Sequence, residues 1–107
     1  MRIALIGATG YVGSHLRDEA LDRNHEVTAI VRHIERLPVR AGLIAKEVDV
    51  FDTDKLGGVL AGQDAVISAY SFDKAANDPY ETMVRGAESI IAATKQAGVK
   101  RLLVVGG

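Results

Sequence analysis

The chain opens with an apolar run, Arg2–Ile6, that ends directly on glycine. Two more glycines follow at three-residue spacing, in Gly7-Ala8-Thr9-Gly10-Tyr11-Val12-Gly13. No other stretch restricts the possible folds so tightly. A continuous apolar run stopped by glycine reads as a strand buried on both faces. Residues 11–23 then have helical character, with Val12, Leu16, Ala20 and Leu21 near one stripe. A buried strand that turns through glycines straight into a helix is the first half of a β-α-β unit, and such units lead to parallel sheets.

The remaining sequence repeats the alternation. Glu26–Val31 is a β-branched run and reads as the second strand. Residues 32–40 are polar and interrupted by Pro38, which predicts a loop with at most one helical turn. A third strand is expected over 43–48. A short helix is expected over 54–60, capped by Asp52 or Thr53, and a fourth strand over 64–69. Residues 76–97 contain a long helix in which Asp78, Pro79 and Glu81 suit the N-cap, first and third helical positions, and Gly98 suits the C-cap. A fifth strand is expected over 101–105. The pattern predicts one doubly wound α/β domain over residues 1–107, a Rossmann sheet with strand order 3-2-1-4-5.

Composition narrows the partners. Of the 107 residues, 48% are hydrophobic and 25% charged, the balance of an ordinary globular chain. A net charge of −1 predicts no broad attraction to nucleic acid or to an anionic membrane. There are no cysteines, so disulfides, thiolate metal sites and cysteine nucleophiles are excluded together. This suits the cytoplasm, the expected location. No apolar run approaches the roughly 20 residues of a membrane span, and the first strand reaches glycine too soon for a signal peptide. His15, His25 and His33 lack metal-ligand spacing, and no metal site is expected. Asp18, Glu19 and Asp22 read as a solvated helical face, and Ser68 and Ser71 have no visible His/Asp partners.

Each glycine of the first loop has a separate role in a diphosphate site. Gly7 permits the tight turn off the strand, Gly10 lets backbone approach a pyrophosphate, and Gly13 lets the helix pack closely. The helix N-terminus then offers free N–H groups and a partial positive charge. Thr9, Tyr11 and Val12 belong to the same binding loop. The spacing is G-x-x-G-x-x-G, and no Walker Lys-Ser pair follows, which argues against an ATP-type loop. The context of strand, loop and helix predicts a nicotinamide dinucleotide. The residue after the second strand faces the adenosine ribose in such folds. Here it is Arg32, followed by His33 and Arg36, and a guanidinium at that place favours the 2′-phosphate of NADP over NAD. Asp49 could accept from the adenine amino group, with the Val50 N–H at the ring edge; a turn or cap role accounts for Asp49 equally well. Ser68, Ala69 and Tyr70, at the end of the fourth strand, are expected beside the ribose and nicotinamide. Tyr80 and Glu81 could face the same cleft, although a capping role accounts for Glu81.

Taken together, the glycine loop, Val31-Arg32-His33, Asp49-Val50, Asp64-Ala65-Val66-Ile67-Ser68-Ala69 and Ala97-Gly98-Val99-Lys100-Arg101 resemble the atypical and extended short-chain dehydrogenase/reductases. The nearest group is the NAD(P)H-binding one called NAD-dependent epimerase/dehydratase or NmrA-like, which includes NADH-flavin reductase-like proteins. The resemblance spans the whole chain. It implies an oxidoreductase that exchanges hydride with a flavin, a quinone or a similar substrate. Alternatives within the group are a non-catalytic redox sensor of NmrA type and a nucleotide-sugar epimerase or dehydratase.

Members of this group continue past the fifth strand into a catalytic half. Those with the full pattern carry a Tyr-x-x-x-Lys pair on the next helix. The expectation is therefore that these 107 residues are the cofactor-binding part of a longer protein, inactive alone, with the catalytic residues beyond Gly107. Were the short chain native, its apolar fifth strand would be expected to pair as a homodimer. Tyr70-Ser71-Phe72-Asp73-Lys74 matches the Tyr-x-x-x-Lys pattern literally but precedes the third helix, where chance accounts for it.

Overall fold

The computed structural model describes residues 1–70 and 78–105. Five parallel strands, β1 (Arg2–Ile6), β2 (Glu26–Val31), β3 (Leu43–Glu47), β4 (Ala65–Ser68) and β5 (Leu102–Val104), form one sheet in the order β3-β2-β1-β4-β5. The helices are α1 (Tyr11–Asp22), α2 (Thr53–Leu60) and α3 (Pro79–Ala97), with one 3-10 turn at Ile34–Arg36. This is the expected Rossmann order. The single helical turn also falls inside the polar loop expected between the second and third strands.

Local chemistry explains the helix ends. The Asp52 carboxylate accepts from the Lys55 N–H at 3.2 Å, and Asp78 accepts from the Glu81 N–H at 3.1 Å, each satisfying a donor of a first helical turn. Pro79 follows Asp78 at the start of α3, where a missing N–H costs nothing. Gly98 closes α3 at φ 74°, a left-handed conformation that a Cβ disfavours.

The strands alternate their side chains between two cores. Ala4, Ile6, Ile30 and Val66 pack with Leu56, Leu60, Ile90 and Ala93 beneath α2 and α3. Leu5, Val27, Ala29 and Val31 pack with Leu21 of α1 on the opposite face. Two positions of α1 depart from the expected stripe. Val12 is exposed, whereas Arg17 is 9% exposed and lies on the buried side. Val12 belongs to the first turn of the helix. Among the described residues no helix is long and apolar enough to cross a membrane.

Candidate functional site

β1 is central and its neighbours β2 and β4 leave it on opposite sides, so the loops after these three strands diverge at the carboxyl ends. A cleft of about 470 Å³ opens there. It gathers three groups of residues. The first is the glycine loop, through Gly7, Thr9 and Gly10. The second is the loop after β2, through Arg32, His33 and Arg36. The third is the pair of strand ends beyond β3 and β4, through Asp49, Val50, Ala69 and Tyr70. Sequence positions 7 to 70 thus meet in one wall because a parallel sheet puts every carboxyl end on the same edge.

The glycine loop is held by backbone contacts. Gly7 sits at φ +82°, and a Cβ there would lie 2.7 Å from the Ala69 carbonyl oxygen. A Cβ at Gly13 would lie 1.8 Å from the Gly7 carbonyl oxygen. The close approach made by Gly13 is therefore to the backbone that leaves the end of β1. Gly10 differs: its Cβ would make only an ordinary contact, 3.5 Å from the Gly7 oxygen. The space before it is open to the cleft. The first turn of α1 carries no acidic residue and Gly10 supplies no side-chain cap, so the helix start keeps its partial positive charge.

Not every residue assigned to this site reaches the cleft. Tyr11 is 83% exposed and stacks edge-on to His15, with ring centroids 4.9 Å apart. Val12 is also exposed, Gly13 is buried behind the loop, and Ser68 is buried with its hydroxyl oxygen accepting from the Tyr70 N–H at 3.4 Å. None of these four lines the cleft. Tyr80 and Glu81 do not line it either; the wall from α3 is Thr82.

Charge is distributed unevenly along the cleft. Arg32, His33 and Arg36 cluster at one end and are exposed. His33 Nδ1 lies 3.7 Å from Glu35, and neither Arg32 nor Arg36 has a carboxylate within ion-pair distance among the described residues. Asp49 closes a turn by accepting from the Phe51 N–H at 2.9 Å through Oδ1, so the turn role open at the sequence level is the one this oxygen takes. The wall between these polar groups is apolar, built from Ile6, Ile30, Val48, Val50 and Phe51.

Sequence reasoning missed the residues that hold these walls in place. Ser89 of α3 donates to the Val50 carbonyl and shares a 2.7 Å hydrogen bond with Thr53, fixing the loop after β3. Gly86 of α3 makes room for Tyr70: a Cβ there would lie 2.5 Å from the ring. Arg17 donates through Nη1 to the Ala8 carbonyl at 3.1 Å, beneath the glycine loop. No local pattern marks these three, because each acts on a segment outside its own helix. Of the three histidines, His25 faces the N-terminal amine at 3.3 Å, and the three lie in separate parts of the fold. The Tyr70-to-Lys74 match runs into residues outside those described.

This geometry is shared with known proteins. A profile of the family described as NAD(P)H-binding matches residues 7–107. The chain belongs to that NAD(P)H-binding family. It is 37% identical over its full length to the uncharacterised protein YwnB of Bacillus subtilis (strain 168), covering 47% of that protein. An epimerase candidate from Bacteroides thetaiotaomicron superposes with a TM-score of 0.87 at 45% identity, over 99% of this chain and 47% of that one. The enzyme WbmG of Bordetella bronchiseptica, crystallised in complex with NAD, superposes with a TM-score of 0.84 at 32% identity, over 97% of this chain and 36% of WbmG. The chain thus spans about half the length of the relatives it matches, or less. Its neighbours lie in the epimerase/dehydratase and related reductase group.

Proposed function

We propose that this chain is the NADP(H)-binding part of an oxidoreductase that transfers hydride between the nicotinamide and a flavin, quinone or similar acceptor. The observation that carries the choice of cofactor is the placement of Arg32, His33 and Arg36 in the same cleft as the glycine loop, without a carboxylate at the end of β2. A carboxylate at that position would accept from a ribose 2′-hydroxyl and repel a 2′-phosphate; a guanidinium does the reverse.

The residues fit the dinucleotide part by part. Gly7, Thr9 and Gly10, with the first turn of α1, would receive the diphosphate. Arg32 and Arg36, with His33, would hold the 2′-phosphate. The apolar wall of Val48, Val50 and Phe51 suits adenine, with Asp49 at its polar edge. Ala69 and Tyr70 stand on the nicotinamide side, where Gly86 and the core fix the tyrosine ring. When bound, the cofactor supplies the hydride; this chain binds it, orients it and shields one of its faces.

The test is Arg32→Asp with NADPH and NADH titrated separately. Affinity for NADPH should fall by about a hundredfold, the loss of charge-assisted hydrogen bonds worth roughly 1.5–3 kcal/mol. Affinity for NADH should change by much less, and equal losses for both would overturn the assignment. The likeness to the Bacteroides epimerase candidate supports a second reading, in which the whole protein returns hydride to the same substrate. Net oxidation of NADPH by the full-length protein in the presence of flavin supports the first reading. Tight binding without net oxidation supports the second.

A further inference from the structure

Arg17 is the most buried charged residue among those described, 9% exposed, and the dinucleotide site as drawn above does not use it. Its guanidinium makes two contacts. Nε lies 3.0 Å from Asp18 Oδ1, and Nη1 donates to the Ala8 carbonyl at 3.1 Å in a buried hydrogen bond. Burying a guanidinium is costly unless its donors are matched, so a position that retains one needs a reason. An apolar side chain at this place on α1 would extend the core formed by Leu16, Ala20 and Leu21.

The reason lies in the peptide that Arg17 grips. In a trans peptide the carbonyl of one residue and the N–H of the next point in opposite directions. Drawing the Ala8 carbonyl down onto Arg17 therefore turns the Thr9 N–H up, on the side where Thr9 lines the cleft. Among the described residues the Thr9 N–H has no backbone acceptor. Gly7 and Gly10 hold the two ends of the same turn through the Gly10 N–H to Gly7 carbonyl bond at 3.2 Å. Arg17 is what fixes the rotation of the peptide between them. Without it, the Ala8–Thr9 peptide could flip and present a carbonyl oxygen to an anion.

We propose that Arg17 is a positioning residue for the diphosphate: it locks the Ala8–Thr9 peptide with its N–H toward the cleft, and its buried positive charge adds to the attraction. This rests on the dinucleotide reading and deepens it. Asp18 is half-exposed and solvent screens its opposing charge, so the guanidinium is only partly offset.

The experiment compares the wild-type chain with Arg17→Met and Arg17→Lys by calorimetric titration. The ligands are NADPH and ADP-ribose, which carry a diphosphate, and 2′-AMP, which carries none and reaches only the Arg32 end. Arg17→Met keeps the volume of the side chain and should bind ADP-ribose and NADPH about tenfold more weakly, with 2′-AMP affinity changed less than twofold. Arg17→Lys keeps the charge and one donor within reach of Ala8 and should recover about half of the loss on a logarithmic scale. It also carries the test should the methionine variant not fold. Unchanged ADP-ribose affinity in both variants overturns the proposal, as does a loss of 2′-AMP affinity in equal proportion. A wild-type chain that binds neither NADPH nor ADP-ribose overturns the dinucleotide reading itself.

Discussion

The two loops that flank the cleft are built on opposite principles. The glycine loop is held by buried backbone: Gly7 against the Ala69 carbonyl, Gly13 against Gly7, and Ala8 on Arg17. The loop after β2 is exposed from Arg32 to Arg36. Arg40 pairs there with Asp22, and with Asp18 at 3.7 Å, while Leu37 packs against the core under α1. A diphosphate is common to NAD and NADP, and the loop proposed to receive it is closely packed, with no room for a side chain at Gly7 or Gly13. The 2′-phosphate distinguishes the two cofactors, and the residues that suit it lie on a surface where substitution disturbs no packing. On the proposed reading, close packing sits where the ligand is constant and exposure where it varies.

Substitutions can break this contrast. The largest effect should come from Gly13→Ala. Its Cβ would lie 1.8 Å from the Gly7 carbonyl oxygen, and both are backbone-fixed, so the loop or the helix must move. Stability should fall by about 3 kcal/mol or more, despite the roughly 1 kcal/mol by which alanine is the better helix former. Chemical denaturation measures it, and a stability gain would show that the loop is not held as described. Gly10→Ala should separate fold from ligand. Its nearest contact would be an ordinary 3.5 Å, so unfolding should change by about 1 kcal/mol at most, the difference between glycine and alanine as an N-cap. NADPH affinity should nevertheless drop at least about tenfold, since the methyl group would occupy the space in which the diphosphate is proposed to lie. A full-affinity Gly10→Ala would move the diphosphate elsewhere. The smallest effect should come from Arg40→Ala. Its ion pairs are solvent-exposed and worth about 0.5 kcal/mol. A thermal shift of several degrees would show that the exposed loop is more firmly held than its contacts suggest.

The same contrast separates what was legible in the sequence. Glycine spacing and the polar run after β2 were both readable, and the cleft brings both together. Tyr11, Val12 and Gly13 were read from the glycine loop and Ser68 from the end of the fourth strand, and none of the four lines the cleft. The difference has one cause. A motif is contiguous in sequence, whereas a helix turns 100° per residue and a strand alternates faces, so neighbours in a motif point to different places.

By itself the sequence determined the order of elements, their caps and the strand order. These follow from nearest-neighbour chemistry: an apolar run closed by glycine, Asp52 and Asp78 ahead of helical segments, Gly98 behind one. Only the tertiary structure decided what supports the site. Arg17 grips a carbonyl nine residues earlier, Ser89 holds one 39 residues earlier, and Gly86 receives the ring of Tyr70. The first exists because α1 folds back under its own loop, and the other two because the sheet brings distant segments together. A buried hydrogen bond or a missing Cβ has meaning only against the partner that folding delivers.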